Sequence, residues 1–540
     1  MKKINFLCTL SVIGAISLTS CSLFGKKSKD KEAIDDTKAQ LEISTFDGGV
    51  GDEWLKNAAD LFVQQNKDRT DFEDGKVGVQ ITIKKETVGG DTLVGQELKR
   101  DMYFTENVDY YRLTNDNKFA DITDILTEAN PNDGNKTILS KIDNNLKQYM
   151  NRDGKYYAVP FYDCIYGLVY DKDLFAEKSF YMTDSGEFTN DRAQFGKGPN
   201  NIAGDWDDGL PKTYTQFASM MNRMRQNNVT PFVYSDSAEV SRYTARGLMS
   251  YWSDDEGFAN TQLNYSFNGH ADHIITSFNE GTPVISGADI TKQNGYLLRK
   301  QAGIYNALNF ADTVLCSDKL NYTGAADNKA AQNMFVNNKD SMGSGEQPIA
   351  MMFEGTWWEH EATEAFEVAR RTRDSFNYGV MAIPKSSESK VGEDATFLNQ
   401  NKSYGFIASN TKHMKLAKEF FKFLHTDEQL RQFTLTTSMT RGLDYTLESG
   451  DLSKLTTFAK DLVDIKQSEH AKLLYPVCGE KFFIDRSDVF DAEPWVWGTV
   501  NKGENPIPKF IADASLTAEA YFQQHYEKIT ESQWLTIVNQ

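Results

Sequence analysis

The residues best equipped to act on a ligand are two adjacent tryptophans, Trp357 and Trp358, in "FEGTWWEH". Neighbouring side chains on a strand or helix point in different directions, so both indoles cannot enter one core from the same face. Either one ring packs inside while the other half-covers a surface, or one stacks on a bound molecule. Other chemistry-bearing clusters are weaker. His270 and His273 in "FNGHADHI" form the one close histidine pair, a spacing more typical of a solvated loop or helix end than of a metal site. "DWDDG" (205–209) has the carboxylates of a calcium loop but fails the full D-x-[DN]-x-[DN]-G-x5-E spacing. Signatures of catalysis are missing. There is no G-x-S-x-G elbow, no H-E-x-x-H helix and no G-x-x-x-x-G-K-[ST] phosphate loop. With 77 Asp and Glu residues, a glycosidase-type carboxylate pair stays open, because sequence does not give its separation.

The chain opens with Lys2 and Lys3, then a mainly apolar run Ile4–Leu18, then Leu18-Thr19-Ser20-Cys21. This is the pattern of a bacterial lipoprotein signal, which predicts removal of residues 1–20 and lipidation of Cys21. Residues 22–40 are polar, lack apolar periodicity and read as a flexible tether. One acyl chain holds a protein only marginally, so anchoring is expected to use more than one. No later segment is apolar for about 18 residues, so the remainder is not expected to cross a membrane. A body of about 500 residues should divide into more than one core. The formal net charge of -19 becomes -21 without Lys2 and Lys3, which argues against nucleic acid as a partner and against direct adhesion to an anionic lipid surface. Beyond Cys8 and Cys21, only Cys164, Cys316 and Cys478 remain, allowing at most one disulfide and no thiolate zinc site.

Periodicity gives the elements that must position the tryptophans. "LEISTF" (41–46) alternates as a strand, Trp54–Phe62 has helical spacing, and Val77–Ile83 alternates again. That is a βαβ unit, whose parallel sheet puts loops and ligands at the strand C-terminal ends, here at Asp47-Gly48-Gly49. "NVDYYRL" predicts a third strand ending at Asp109–Tyr111. In "GKYYAVPFYDCIYGLVYDKDLF", Pro160 lacks an N–H for a sheet, so the strand Tyr157–Pro160 should break before the run Ile165–Tyr170. Thr213 is placed to cap a helix whose stripe is Phe217, Met220, Met221 and Met224. Later, "NYGVMAIPKS" and "NKSYGFIAS" read as strands, and "KHMKLAKEFFKFLHTDEQLRQF" as one amphipathic helix.

These segments, in this order, resemble the extracellular solute-binding proteins of ABC importers, the family that includes maltose-binding protein. The resemblance rests on "GKYYAVPFYDCIYGLVYDKDLF", "LPKTYTQFASMMNRMRQNNVTPF", "QPIAMMFEGTWW", "NYGVMAIP" and "SYGFIASNTKHMKLAKEFFKFL", within residues 41–440. It implies a two-lobe α/β fold, the lobes joined by a multi-segment hinge with the ligand between them. The N-terminal lobe is expected in 41–160 with 379–437, and the C-terminal lobe in 161–378 with 438–540. Hinge closure on ligand follows from contact with both faces.

The resemblance also implies a role: binding a carbohydrate, an oligosaccharide being favoured, and delivering it to the membrane permease without making or breaking a bond. The alternatives are a surface glycoside hydrolase and a glycan-interaction lipoprotein. A lipid-anchored monomer on the extracytoplasmic face of the cell membrane is expected, touching the membrane only through its anchor. By the same resemblance, Trp357 and Trp358 are the first candidates for stacking on sugar rings. Asp47 matches the polar residue that ends the first strand. Tyr162 and Asp163 lie in a crossing segment, and Asp109, Tyr111 and Arg112 end the third strand. Tyr243 and Arg441 come from loops expected to face the cleft. No cofactor and no metal belong to the candidate site; a structural calcium ion near residues 176–210 is left open, because some oligosaccharide binders of this kind carry one there.

Overall fold

The structure is a computed structural model that describes residues 33–539 except 47, 236–237, 317–321, 326, 338–346, 401, 480, 486–495, 498–506, 514 and 527–529. Cys21 and Asp47 thus lie outside the described residues. The first strand begins at Ala39, inside the stretch read as tether, and runs to Phe46 with Leu41 and Ile43 buried. It pairs in parallel with Val79–Glu86 on one side and Met102–Thr105 on the other. The intervening helix Glu53–Gln65 buries Trp54, Leu55, Ala58, Ala59 and Phe62, the stripe its spacing predicts. Two further strands, Tyr404–Ile407 and Val159–Pro160, complete a five-stranded sheet.

A second five-stranded sheet has the order Tyr322–Ala325, Thr230–Ser235, Ile349–Gly355, Tyr166–Asp171, Tyr378–Val380. Its first three strands are parallel and the last two run in alternating directions. The helix Tyr214–Gln226 covers it: Thr213 accepts a hydrogen bond from the Gln216 N–H, and Phe217, Met220, Met221 and Met224 are all buried. The long helix Ala238–Ser266 bends where Gly257 takes φ 75°, a conformation that glycine adopts without strain. C-terminal helices Ala518–Tyr526 and Glu531–Val538 add Tyr521, Phe522, Tyr526 and Trp534 to the same core.

The two cores are separate, one per sheet, and three stretches of chain pass between them. The first, 161–165, follows the edge strand Val159–Pro160, where a proline is tolerated and the next N–H, of Phe161, still donates to the Ser403 carbonyl at 2.9 Å. The second is 399–403, and the third runs through Met439–Leu443, buried in the first core, to the helix Thr457–Gln467, whose Thr457 hydroxyl donates to the Tyr378 carbonyl of the second sheet.

Four expectations are corrected. The return to the first lobe falls at 399–403 rather than 379, because Tyr378–Val380 pairs with Tyr166–Asp171 and Ala395–Leu398 pairs with Ala471–Leu474. Tyr157–Pro160 is strand only at Val159–Pro160. The third strand ends at Thr105; Asp109 instead caps the short helix Tyr110–Asn115, its carboxylate accepting the Arg112 N–H at 3.0 Å. The segment 412–433 is two helices, Met414–Leu424 and Asp427–Thr437, because the Thr426 hydroxyl caps a new start by accepting from the Gln429 N–H.

Candidate functional site

Between the lobes lies a cleft of about 680 Å³, inside the range of small-molecule sites. Its walls are loops at the C-terminal ends of parallel strands, as the topology requires. The first lobe supplies Phe46, Gly48 and Gly49 after its first strand, and Glu106, Asp109, Tyr111 and Arg112 after its third. The second lobe supplies Tyr166, Tyr243, Arg246, Trp357 and Glu361, and the crossings supply Tyr162, Cys164 and Gln400.

Trp357 sits just after Ile349–Gly355 and caps the turn Trp358–Glu361. Its ring rests on Gly355, where an added Cβ would come within 2.0 Å of it, and meets Tyr166 edge-on at 4.9 Å and Tyr243 at 6.0 Å. The lobes touch here: a Cβ on Gly49 would lie 2.6 Å from the Trp357 Cβ, and one on Gly51 would lie 2.6 Å from the His360 ring. Glycine in this loop therefore lets the first lobe close onto the tryptophan.

The charged groups of the cleft face each other in pairs. The Glu106 Oε1 accepts the Tyr162 hydroxyl at 2.6 Å. Burial, with Glu361 repelling it across the cleft, pushes its carboxyl up to about 7. Behind Trp357, the Gln332 amide donates to Glu361 at 2.8 Å and to Glu354 at 3.2 Å. Both acids are raised above the usual carboxylate range by burial, Glu354 strongly so and with Glu361 repelling it. The Arg246 guanidinium donates to the Tyr166 hydroxyl and lies 5.1 Å over that ring. Gln400 donates to the Arg246 carbonyl, while its Oε1 is buried and finds no partner among the described residues. This set offers aromatic faces beside donors and acceptors, from both sides.

Trp357, Tyr162, Asp109, Tyr111, Arg112 and Tyr243 are thus brought together around one cleft. Three candidates are not. Trp358 is fully buried in the second core, against Tyr378 at 4.9 Å and Phe335, Phe366 and Phe458 at 5.8 to 5.9 Å. Asp163 is fully buried in the hinge. One of its carboxylate oxygens accepts from Asn399 at 2.6 Å and Tyr475 at 3.1 Å, the other from Thr440 at 2.6 Å and Lys466 at 2.7 Å. It ties all three crossings together rather than meeting a ligand. Arg441 is buried among the rings of Trp54, Phe161 and Phe433, at 5.0 to 5.6 Å, and its pKa is lowered to about 10 by burial. Glu106, Tyr166, Arg246, Glu361 and Gln400 were missed, although Glu106 stands one residue beyond a strand end, the kind of position that carries ligands in such sheets.

Away from the cleft, one carboxylate oxygen each from Asp205, Asp207 and Asp208 lie within 4.8 Å of one another. Asp207 is 1 % exposed, and Oδ1 of both Asp207 and Asp208 is buried without a partner among the described residues. Burial and the neighbouring Asp205 push Asp207 up to about 9. The three carboxylates are hard oxygen donors and supply three of the six to eight oxygens that a calcium ion takes. His270 and His273 pair separately with Asp289 and Glu256, and Cys164 is a free buried thiol.

Two α/β lobes, a hinge of crossing segments and a ligand-sized cleft between strand ends define a hinged solute receptor. The chain belongs to the bacterial extracellular solute-binding protein family, whose model matches residues 55–430. Among solved structures, RafE in complex with raffinose is 12 % identical, with a TM-score of 0.53 over 91 % of this chain and 100 % of that one. The apo form of RafE from Streptococcus pneumoniae gives 12 % identity and a TM-score of 0.51, covering 92 % and 98 %. The GacH receptor of Streptomyces glaucescens, solved unliganded and with acarbose, gives 14 % and 0.51, covering 93 % and 99 %. These likenesses establish the two-lobe fold. Comparison with curated protein sequences gives no match. Among the described residues no helix is long and apolar enough to cross a membrane.

Proposed function

We propose that this protein is a carbohydrate receptor of an ABC importer, held by lipid on Cys21 at the extracytoplasmic face, which passes its sugar to the permease unaltered. The observation that carries the reading is the cleft itself: Trp357 and Tyr166, Tyr243, Tyr162 and Tyr111 stand beside acids, amides and arginines drawn from both lobes. Aromatic faces suit the apolar C–H sides of sugar rings, and the polar groups suit hydroxyls. The raffinose and acarbose bound by RafE and GacH support the same class of ligand. A melting-temperature screen against mono- and oligosaccharides tests this. A ligand at 100 times its dissociation constant should stabilise by about 2.7 kcal/mol, quench tryptophan fluorescence and be recovered chemically unchanged. Release of new sugars would point to a hydrolase, and no response to any glycan would point to an interaction lipoprotein.

We also propose a structural calcium ion at Asp205, Asp207 and Asp208, distant in role from the ligand. Adding calcium to the chelated protein should raise its melting temperature without altering sugar affinity, and D207N should abolish the calcium effect.

A further inference from the structure

Glu106 and Glu361 line the cleft from opposite lobes, both partly exposed to it, and among the described residues neither forms an ion pair. Glu106 takes the Tyr162 hydroxyl at 2.6 Å on one oxygen, and no described residue donates to the other. Glu361 takes the neutral Gln332 amide at 2.8 Å, which also serves Glu354 behind it at 3.2 Å. Lys329 acts on Glu361 through space without pairing with it. The cations that line the cleft are Arg112, Arg246 and Lys402, and Arg246 is turned to the Tyr166 hydroxyl. Asp91 and Asp109 add two more carboxylates on the first-lobe side.

Elsewhere the fold matches buried acids with lysines. Asp163 has Lys466 at 2.7 Å, Asp254 has Lys385 at 3.0 Å and Asp461 has Lys172 at 2.8 Å. Glu106 and Glu361 lack that match, although closing the lobes brings them together in a space shielded from water, where like charges repel more strongly. A sugar hydroxyl can donate to a carboxylate but leaves the two charges opposed. An ammonium group brings three donors and a positive charge, so the same two acids would then pull the lobes together.

We propose that the cleft takes an aminated carbohydrate, whose ammonium group sits between Glu106 and Glu361 when the lobes close. The inference rests on the carbohydrate reading above and narrows its ligand class. Contact of one cation with acids of both lobes exists only in the closed state, so the ligand's charge itself favours closure. The net charge of -19 draws a cationic solute toward the molecule. In the empty cleft, burial and Glu361 hold the Glu106 carboxyl up to about 7; against an ammonium it ionises, so binding below that pH releases a proton.

Calorimetric titration at about pH 6, just below the Glu106 value of about 7, tests the proposal. The probes are glucosamine and its β-1,4-linked oligomers, their N-acetylated counterparts, glucose and its β-1,4-linked oligomers, and putrescine as a cation without a sugar. Wild type should bind an aminated member at least about tenfold more tightly than both its N-acetylated and its hydroxyl counterpart, the scale of a hydrogen bond to a charged group. Repeating the titration in buffers of different ionisation enthalpy should show proton release with the aminated ligand and none with the neutral ones. E106Q should lose that release and most of the preference, and the ratio of aminated to neutral affinity cancels any general effect on folding or closure. Binding of the aminated member no tighter than its neutral counterparts, or an E106Q protein that keeps both preference and proton release, overturns the inference and leaves the carbohydrate reading intact. Putrescine binding more tightly than every saccharide, or no saccharide binding at all, overturns both.

Discussion

Trp357 and Trp358 are bonded neighbours in opposite situations. Trp358 is caged by Tyr378, Phe335, Phe366 and Phe458, all within one lobe. Trp357 touches Gly355 and Tyr166 of its own lobe but Gly49 of the other. Everything around Trp358 moves as one body, so its contacts survive whatever the hinge does. Part of what surrounds Trp357 is lost whenever the lobes separate. The same residue type therefore serves stability at one position and recognition at the next. What decides between them is whether the neighbours belong to one rigid unit or two.

The largest effect that can break this contrast is W358A. Removing a fully buried indole from an aromatic cage should cost about 3–5 kcal/mol of unfolding free energy, read by denaturant unfolding of the ligand-free protein. A small loss there would mean the cage is not a packed core. W357A should reverse the pattern. Ligand affinity should fall by about 2 kcal/mol, the scale of an aromatic anchor, while ligand-free stability falls less than in W358A. Equal stability losses in both variants with binding unchanged would erase the distinction. G49A probes the interlobe side alone. Its added methyl collides with Trp357 only when the lobes are closed, so affinity should drop by about 1 kcal/mol or more. The ligand-free melting temperature should stay near wild type.

How much of this was legible in the sequence depends on the range of the interaction involved. The Thr213 cap and the Phe217–Met224 stripe were readable because both are settled within one helix. Which tryptophan faces the cleft was not readable, since the answer depends on Tyr378 and Phe458 for one ring and Gly49 for the other. Arg441 misled for the same reason: a charged side chain in a loop looks exposed until Trp54, Phe161 and Phe433 converge on it from three distant segments. Asp163 lies in a crossing, and its partners Asn399, Thr440 and Lys466 become visible only once the crossings are assembled. Placing the return to the first lobe at 379 also hid Gln400, which stands in the true crossing.

The finest distinction within the cleft concerns Glu106, which faces Tyr162 of the crossing and Glu361 of the opposite lobe. Its carboxyl titrates at about 7 when folded, against 4.5 when exposed. In that interval the folded protein holds a proton that the unfolded chain has released. Its contribution to stability is therefore fully present below pH 4.5, declines as pH rises through 7, and changes no further above that. E106Q keeps a neutral side chain of the same shape at every pH. Over this window its stability should fall less steeply with rising pH than that of wild type, the difference in slope never exceeding about 1.4 kcal/mol per pH unit for one proton. Denaturant unfolding of both proteins across the interval measures that difference. Parallel curves would mean that Glu106 is solvated in the ligand-free protein, with the lobes standing far enough apart for water to reach it. Curves that separate as pH rises, with wild type falling below E106Q, would place it in the closed cleft even without ligand, on the same side of the contrast as Trp357.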